Sequence, residues 1–154
     1  MKKLFLTLSF LSLALLCGQA AEATWRNDFA TALADARREA KVVLIDFTGS
    51  DWCGWCIKMK KDTLDQKAFL EFAARKLVLV EADFPNKKAL PDAVKKQNQG
   101  LQKKYSVGGY PTFVLVDADG KELGRQVGYL KGGPEAFMAK IEGWMGAKAA
   151  PGAK

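Results

Sequence analysis

The sequence of 154 residues contains no histidine. Histidine is the commonest general base and the commonest metal ligand in proteins. Catalysis or metal binding therefore has to use other side chains. Covalent haem attachment is also excluded, because Ile57 and not histidine follows the second cysteine of the C-x-x-C motif.

The chain also lacks a cluster of basic residues. Its formal net charge is +7, but the lysines are scattered among acidic residues. Nucleic-acid binding needs a basic patch or stripe, so we expect no nucleic-acid partner. The composition is 49% hydrophobic and 27% charged, which is typical of a soluble globular protein with room for one domain.

One long apolar run is present, and it lies at the N-terminus. Lys2 and Lys3 precede the run Leu4–Leu16, and small residues follow it. The run is too short for a comfortable membrane span, and this order of features is typical of a secretory signal. We expect residues 1–20 to be removed, with cleavage extending at most to Ala23. An uncleaved membrane anchor is the alternative.

Cysteine is scarce, with three residues in the chain. Cys17 ends the apolar run, as in a lipid-attachment signal, but Leu16 occupies the place where such a signal has a small residue. If Cys17 leaves with the leader, Cys53 and Cys56 remain. No spare thiol is then left to form wrong bridges in an oxidising compartment.

Cys53 and Cys56 lie in the segment SDWCGWCIK, residues 50–58. A zinc site usually has four ligands, so zinc would need a second pair of thiols from another subunit. The pair could also form a copper site of two thiolates, a structural disulfide or a redox centre. A disulfide that closes so short a loop removes little entropy from the unfolded chain, which argues against a purely structural role.

Apolar periodicity predicts the elements around this motif. Trp25, Phe29, Leu33 and Ala36 form one stripe of a helix. The run VVLIDF at 42–47 predicts a strand that is buried on both faces. The remaining pattern predicts helix, strand and helix, then two strands joined by the turn ADG, and a closing helix.

This order of elements predicts an α/β fold with a mixed central sheet. The early crossovers imply parallel strands, the late hairpin implies antiparallel strands, and helices cover both faces. We expect one domain over residues 24–146 and a disordered tail over 147–154.

The loop before the cysteines predicts a reactive helix N-terminus. In TGSD, residues 48–51, Ser50 or Asp51 is expected to cap a helix that begins near Cys53. Free N–H groups and the helix dipole favour a thiolate there. One cysteine can then attack a disulfide while the other resolves the mixed disulfide. These properties favour the redox interpretation.

The segments VVLIDFTGSDWCGWCIKM and VGGYPTFVLVDADGKELGRQVGY resemble the thioredoxin family. The strand, the W-C-x-x-C motif and the later Tyr-Pro-Thr carry the resemblance, which covers residues 25–145 and is greatest to exported bacterial thioredoxin-like proteins. It implies a thioredoxin fold and thiol–disulfide exchange, with Cys53 as nucleophile and Cys56 as resolving thiol.

Two features depart from thioredoxin itself. Gly54-Trp55 replaces Gly-Pro between the cysteines, so the redox potential of thioredoxin cannot be transferred. Asp46 occupies the strand that carries the family's buried aspartate, but one residue further from Cys53. We interpret Asp46 as a proton acceptor for Cys56. The alternative is a strand-end aspartate that is hydrogen-bonded in the loop.

The resemblance also implies substrate-binding residues. It predicts a cis bond between Tyr110 and Pro111, with the backbone before the proline presented to an extended substrate segment; an ordinary turn is the alternative. Trp52, Gly54 and Trp55 complete the predicted binding surface, although the tryptophans can instead pack against the fold.

The predicted function is that of an exported, soluble thiol–disulfide oxidoreductase of the bacterial periplasm, with reduction or isomerisation favoured. The dithiol carries the electrons, so no cofactor is expected. Expected partners are protein disulfides or thiols and a membrane thiol electron carrier, because the periplasm has no reducing buffer. The alternative is a thioredoxin-fold binding module, a chaperone or copper carrier, without redox turnover.

Processing of the leader is directly testable. The charged residues, apolar run and small residues at 18–23 predict a mature N-terminus just after Ala20 or Ala23. Mass spectrometry of the exported protein should find it there. An intact Met1, or a lipid on Cys17, would show that the leader has another role.

Overall fold

A buried strand, Val42–Thr48, forms the centre of the mixed sheet in the computed structural model, which describes residues 23–149. The sheet of this described part has five strands in the order β1-β3-β2-β4-β5. The strands are β1 Trp25–Arg26, β2 Val42–Thr48, β3 Leu77–Asp83, β4 Thr112–Val116 and β5 Glu122–Val127.

Strand directions agree with the sequence-based prediction. β3 is parallel to both β1 and β2, whereas β4 is antiparallel to both β2 and β5. The β4–β5 hairpin turns through Gly120, which has φ +75° and a backbone N–H that donates to the carbonyl of Asp117. The predicted mixed sheet is confirmed, and it leaves the carboxyl end of β2 facing the cysteine motif.

Helices cover both faces of the sheet, as predicted. The helices are α1 Phe29–Glu39, α2 Gly54–Met59, α3 Lys67–Lys76, α4 Asp92–Lys104 and α5 Gly133–Ala149. Side chains of α1 and α4 belong to one core cluster, and side chains of α2, α3 and α5 belong to the other. Within the described residues no helix is both long enough and apolar enough to cross a membrane.

Alternate side chains of β2 enter the two clusters. Val43, Ile45 and Phe47 pack on the α1 side, and Leu44 packs on the α5 side. All four are fully buried. A strand that is covered on both sides requires an almost continuous apolar run, so the charged residue Asp46 is unusual in this strand.

The N-terminal segment corrects one prediction. Trp25 does not belong to the first helix but to β1, where it pairs with Leu79 of β3. α1 begins at Phe29, because the carboxylate of Asp28 accepts the N–H of Thr31 and caps the helix there. Trp25 therefore has the spacing of the helical stripe by chance, without being part of the helix.

The ends of other elements also differ from the prediction. The helix after the cysteines changes at Lys60–Leu64 into a π-helical turn, with the N–H of Asp65 bonded to the carbonyl of Lys60. α5 continues to Ala149, past the predicted domain end at 146. The predicted signal peptide and residues 150–154 of the predicted tail lie outside the described residues.

Three phenylalanines hold α5 against the sheet. Phe137 of α5 is fully buried, with its ring centroid 5.8 Å from that of Phe69 and 4.9 Å from that of Phe113. Such a centre combines large apolar burial with favourable aromatic geometry. It anchors α5 to both α3 and β4.

Phe137→Ala should lower the free energy of unfolding by about 3–5 kcal/mol, because it removes buried surface and leaves a cavity. Urea denaturation of the oxidised protein measures the change. Val127→Ala is the control: Val127 is 64% exposed, and its replacement should cost at most about 0.5 kcal/mol. Equal losses in the two variants would contradict the central role of Phe137.

Candidate active site

Cys53 itself is the N-cap of α2. Its backbone is extended (φ −85°, ψ 102°), and its Sγ accepts a hydrogen bond from the N–H of Cys56 at 3.2 Å. The two Sγ atoms form a disulfide, with the Cα atoms 5.2 Å apart. The structure thus brings the two predicted redox residues together on the first turn of the helix.

The expectation that Ser50 or Asp51 caps this helix is wrong, because both side chains bind elsewhere. The hydroxyl and N–H of Ser50 donate to the carboxylate of Asp83 at 2.7 and 2.9 Å. The carboxylate of Asp51 accepts the backbone N–H groups of residues 86–88. The hydrogen bond from Asn86, more than any other contact, lowers the pKa of Asp51. These bonds tie the loop before Cys53 to the end of β3 and to the segment after it.

Both cysteines are buried in the oxidised protein. Cys53 is 7% exposed and Cys56 is 5% exposed, so the two residues differ little in accessibility. The residues differ instead in position: Cys53 precedes the helix, and Cys56 lies within it. Gly54 between them is exposed, and no neighbouring atom of the described chain lies within 4 Å of the place where a Cβ would stand.

Trp52 belongs to an aromatic group on one side of the cysteines. Its indole N–H donates to the carbonyl of Phe84 at 2.7 Å, and its ring lies nearly perpendicular to that of Tyr110, with the ring centroids 6.0 Å apart. Tyr110 also stacks on Phe84 at 5.1 Å. A Cβ at Gly49 would overlap the indole, so a glycine is required there. Trp52 remains 46% exposed.

Trp55 is 61% exposed and contacts a different aromatic residue. Its ring centroid lies 5.5 Å from that of Tyr129, which follows β5. Sequence reasoning did not identify Phe84 or Tyr129 as site residues. The sequence offered one indication of a site role for these two residues: each lies just after a predicted strand.

Pro111 connects this surface to the sheet. The Tyr110–Pro111 peptide bond is cis, and Pro111 is buried immediately before β4. The carbonyl of Pro111 accepts the N–H of Gly128 at 2.8 Å. The segment that carries Tyr110 is thereby joined to the segment that carries Tyr129.

Asp46 is buried on the face of β2 that α2 covers. It is 6% exposed, lies opposite Phe113 of β4, and its Oδ1 has no hydrogen-bond partner among the described residues. Burial raises the pKa of Asp46 well above its ordinary value, nearby Glu81 and Asp83 raise it further, and Lys60 lowers it. The alternative for Asp46, a strand-end carboxylate that is hydrogen-bonded in the loop, is not observed.

Glu81 lies beside Asp46, as its register partner on β3. Burial raises the pKa of Glu81 as well, and Asp83 adds to this effect. In the described part of the chain, no group of three cysteines or acidic residues is arranged to hold a metal ion. The site thus combines one disulfide with two neighbouring acidic residues whose pKa values are raised.

Comparison with known proteins identifies the family of this chain. The model of the thioredoxin-like domain family matches residues 29–142. Disulfide bond reductase DsbH of Chlamydia pneumoniae is 41% identical over 123 residues, which are 80% of this chain and 73% of that protein.

Solved structures show the same similarity. A DsbH oxidoreductase has a TM-score of 0.76 and 39% identity, with 82% of this chain and 86% of that chain covered. The reduced C-terminal domain of Neisseria meningitidis DsbD has a TM-score of 0.55 and 26% identity, with 78% and 98% covered. The predicted thioredoxin fold is thus confirmed. The chain belongs to the thioredoxin-like family, and its Cys53–Cys56 pair places it among the thiol–disulfide oxidoreductases of that family.

Proposed function

We propose that this oxidoreductase is an exported disulfide reductase that passes electrons from the Cys53–Cys56 dithiol to disulfides of other proteins. One observation carries the proposal: Cys53 is the N-cap of α2, and its sulfur accepts the N–H of its own redox partner. A sulfur in this position is prepared to carry negative charge.

The first step is attack by the Cys53 thiolate on a sulfur of the substrate disulfide. A bond forms between Cys53 and that sulfur, and the other substrate sulfur leaves as a thiolate. In the disulfide form the N–H of Cys56 donates to the Cys53 sulfur, and we propose that the same bond stabilises the Cys53 thiolate before attack. Cys56 lies within the helix and is further than Cys53 from the free N–H groups at its start. We therefore assign Cys56 as the thiol that resolves the mixed disulfide in the second step.

In the second step the Cys56 thiolate attacks Cys53 and releases the second substrate thiolate. The enzyme becomes a disulfide, and the substrate gains two electrons. We assign Asp46 as the acceptor of the Cys56 proton, because it is buried on the same face of β2 as Leu44, and Leu44 shares a core cluster with Met59 of the helix that carries Cys56. A raised pKa makes a carboxylate a stronger base.

Substrate binding is assigned to the exposed surface around Cys53. Trp52 and Trp55 are both exposed, and Gly54 between them has no side chain to occupy the space. An extended segment can bind along Tyr110 and Pro111 by strand addition. This assignment follows the resemblance and the grouping of these residues around one disulfide.

The direction of electron flow and the cellular context are inferred from relatives. DsbH is named a disulfide bond reductase, and we propose the same direction here. A reductase in the bacterial periplasm needs continued recharging, since that compartment is kept oxidising. Similarity to a domain of DsbD, whose homologues are named thiol:disulfide interchange proteins, supports a membrane thiol carrier as the electron donor.

The two cysteines should behave differently when each is replaced by serine. Cys53→Ser should abolish insulin reduction, because no nucleophile remains. Cys56→Ser should accumulate a mixed disulfide through Cys53, because attack continues while resolution is lost. Non-reducing gels and mass spectrometry of trapped partners measure this.

The reverse trapping pattern would exchange the two roles. Wild-type protein that reduces no protein disulfide, and that is purified with bound copper, would instead support the copper-carrier alternative.

Asp46→Asn should slow resolution of the mixed disulfide more than the initial attack, because asparagine cannot accept the Cys56 proton. Stopped-flow kinetics separates the two steps. Unchanged resolution in a folded variant would remove Asp46 from the mechanism.

The pH dependence of stability provides the matching control. The folded pKa of Asp46 is raised, so the folded protein holds this proton to higher pH than the unfolded chain does. Below the pKa that Asp46 has in the unfolded chain, ionisation of this residue does not lower the free energy of unfolding. As pH rises towards the pKa that Asp46 has in the folded protein, the free energy of unfolding falls. Each pH unit between the two values corresponds to about 1.4 kcal/mol. In urea denaturation of oxidised protein, Asp46→Asn should gain stability over the wild type as pH rises; a constant difference would contradict the raised pKa.

A further inference from the structure

Tyr129 lies where three parts of the structure meet. It follows Gly128, whose φ of +76° turns the chain out of β5 and whose N–H is bonded to Pro111. Its ring then contacts Trp55 of the cysteine motif. Tyr129 therefore links the segment around Pro111 to the exposed indole between the two cysteines.

Charged residues fix Tyr129 from the side of α2. Its hydroxyl donates to the carboxylate of Asp62 at 2.9 Å, and the same carboxylate binds Lys58 at 2.6 Å. The Lys58 ammonium also lies 5.2 Å from the centre of the tyrosine ring. Trp55, Lys58 and Asp62 follow one another at helical spacings of three and four, so they share one helix face.

The charges in this network are mutually stabilising. The hydrogen bond with Asp62 raises the pKa of Tyr129, and the hydrogen bond with Lys58 lowers the pKa of Asp62. The same pairing raises the pKa of Lys58. At neutral pH the tyrosine thus remains a donor, and its two neighbours remain charged.

The two tryptophans are held in different ways. Trp52 is fixed by its own N–H through the bond to Phe84. Trp55 is more exposed, and its described ring contact is with Tyr129. A side chain that is this exposed loses conformational freedom when it binds a partner, unless a neighbour orients it beforehand.

We propose that Tyr129 is a positioning residue: together with Asp62 and Lys58 it holds the Trp55 indole beside the disulfide, as a flat apolar surface for the residue next to a substrate cysteine. The preferred substrate is then a polypeptide disulfide with an apolar side chain adjacent to the cysteine. This inference rests on the proposed function, because it assigns specificity to the same disulfide exchange.

The test compares two disulfide-linked peptides that differ in having leucine or serine next to the cysteine, with glutathione disulfide as a small substrate. Wild-type protein should have the lower KM for the leucine peptide. Tyr129→Ala should raise that KM about two- to tenfold, the range expected for loss of an aromatic contact, with a smaller effect on the other two substrates. Tyr129→Phe keeps the ring and should lose less.

Lys67→Ala is the matched control, since it removes an exposed ion pair with Glu71 at the same i,i+4 spacing but on α3. It should leave all three reactions unchanged. Equal losses of Tyr129→Ala on all substrates, or no loss on any, would overturn the proposal.

A second readout does not depend on activity. The heteronuclear NOE of the Trp55 indole N–H reports how rigidly the ring is held, and it should fall in Tyr129→Ala but not in Lys67→Ala. An unchanged value would overturn the positioning role. If wild-type protein reduces none of the substrates while this NOE responds as expected, the proposed function fails and the positioning of Trp55 stands.

Discussion

The hydrogen bond from the N–H of Cys56 to the sulfur of Cys53 is the interaction on which the site depends. It forms because Cys53 itself occupies the N-cap, a position usually taken by serine, threonine, aspartate or asparagine. Ser50 and Asp51 do not compete for this position, because Ser50 is bound to Asp83 at the end of β3 and Asp51 to the segment that follows. The reactive sulfur is thus presented by a loop that is braced from outside the helix.

The central sheet explains why this bracing is possible. β2 and β3 are parallel neighbours, so their carboxyl ends lie at the same edge, and the loops that follow them meet there. β4 enters that edge from the opposite direction and brings Tyr110 and Pro111 to it. Two aromatic contacts, Trp52 with Tyr110 and Trp55 with Tyr129, then connect the cysteine motif to the β4–β5 side.

Patterns that are local in sequence could be predicted, and contacts between distant residues could not. The buried β2 run, the hairpin and the dithiol follow from short motifs. Trp25 was misassigned because a two-residue strand leaves no periodicity of its own. The cap at Cys53 was missed because Ser50 and Asp51 have better local propensity, and their actual partners lie 33 or more residues away. Tyr129 was missed for the same reason, since Asp62 is 67 residues distant.

Asp46 and Glu81 lie side by side on β2 and β3, and burial raises the pKa of both. Two carboxyl groups here oppose folding whenever both are ionised. The proposed mechanism gives a reason for keeping these two carboxyl groups despite their unfavourable effect on folding. When the Cys56 proton moves to an ionised Asp46, one negative charge leaves the carboxylate and one appears on sulfur. The charge beneath α2 is then the same before and after the transfer. Electrostatic energies are large where water is excluded, so a transfer that conserves charge there avoids the cost of a second buried anion.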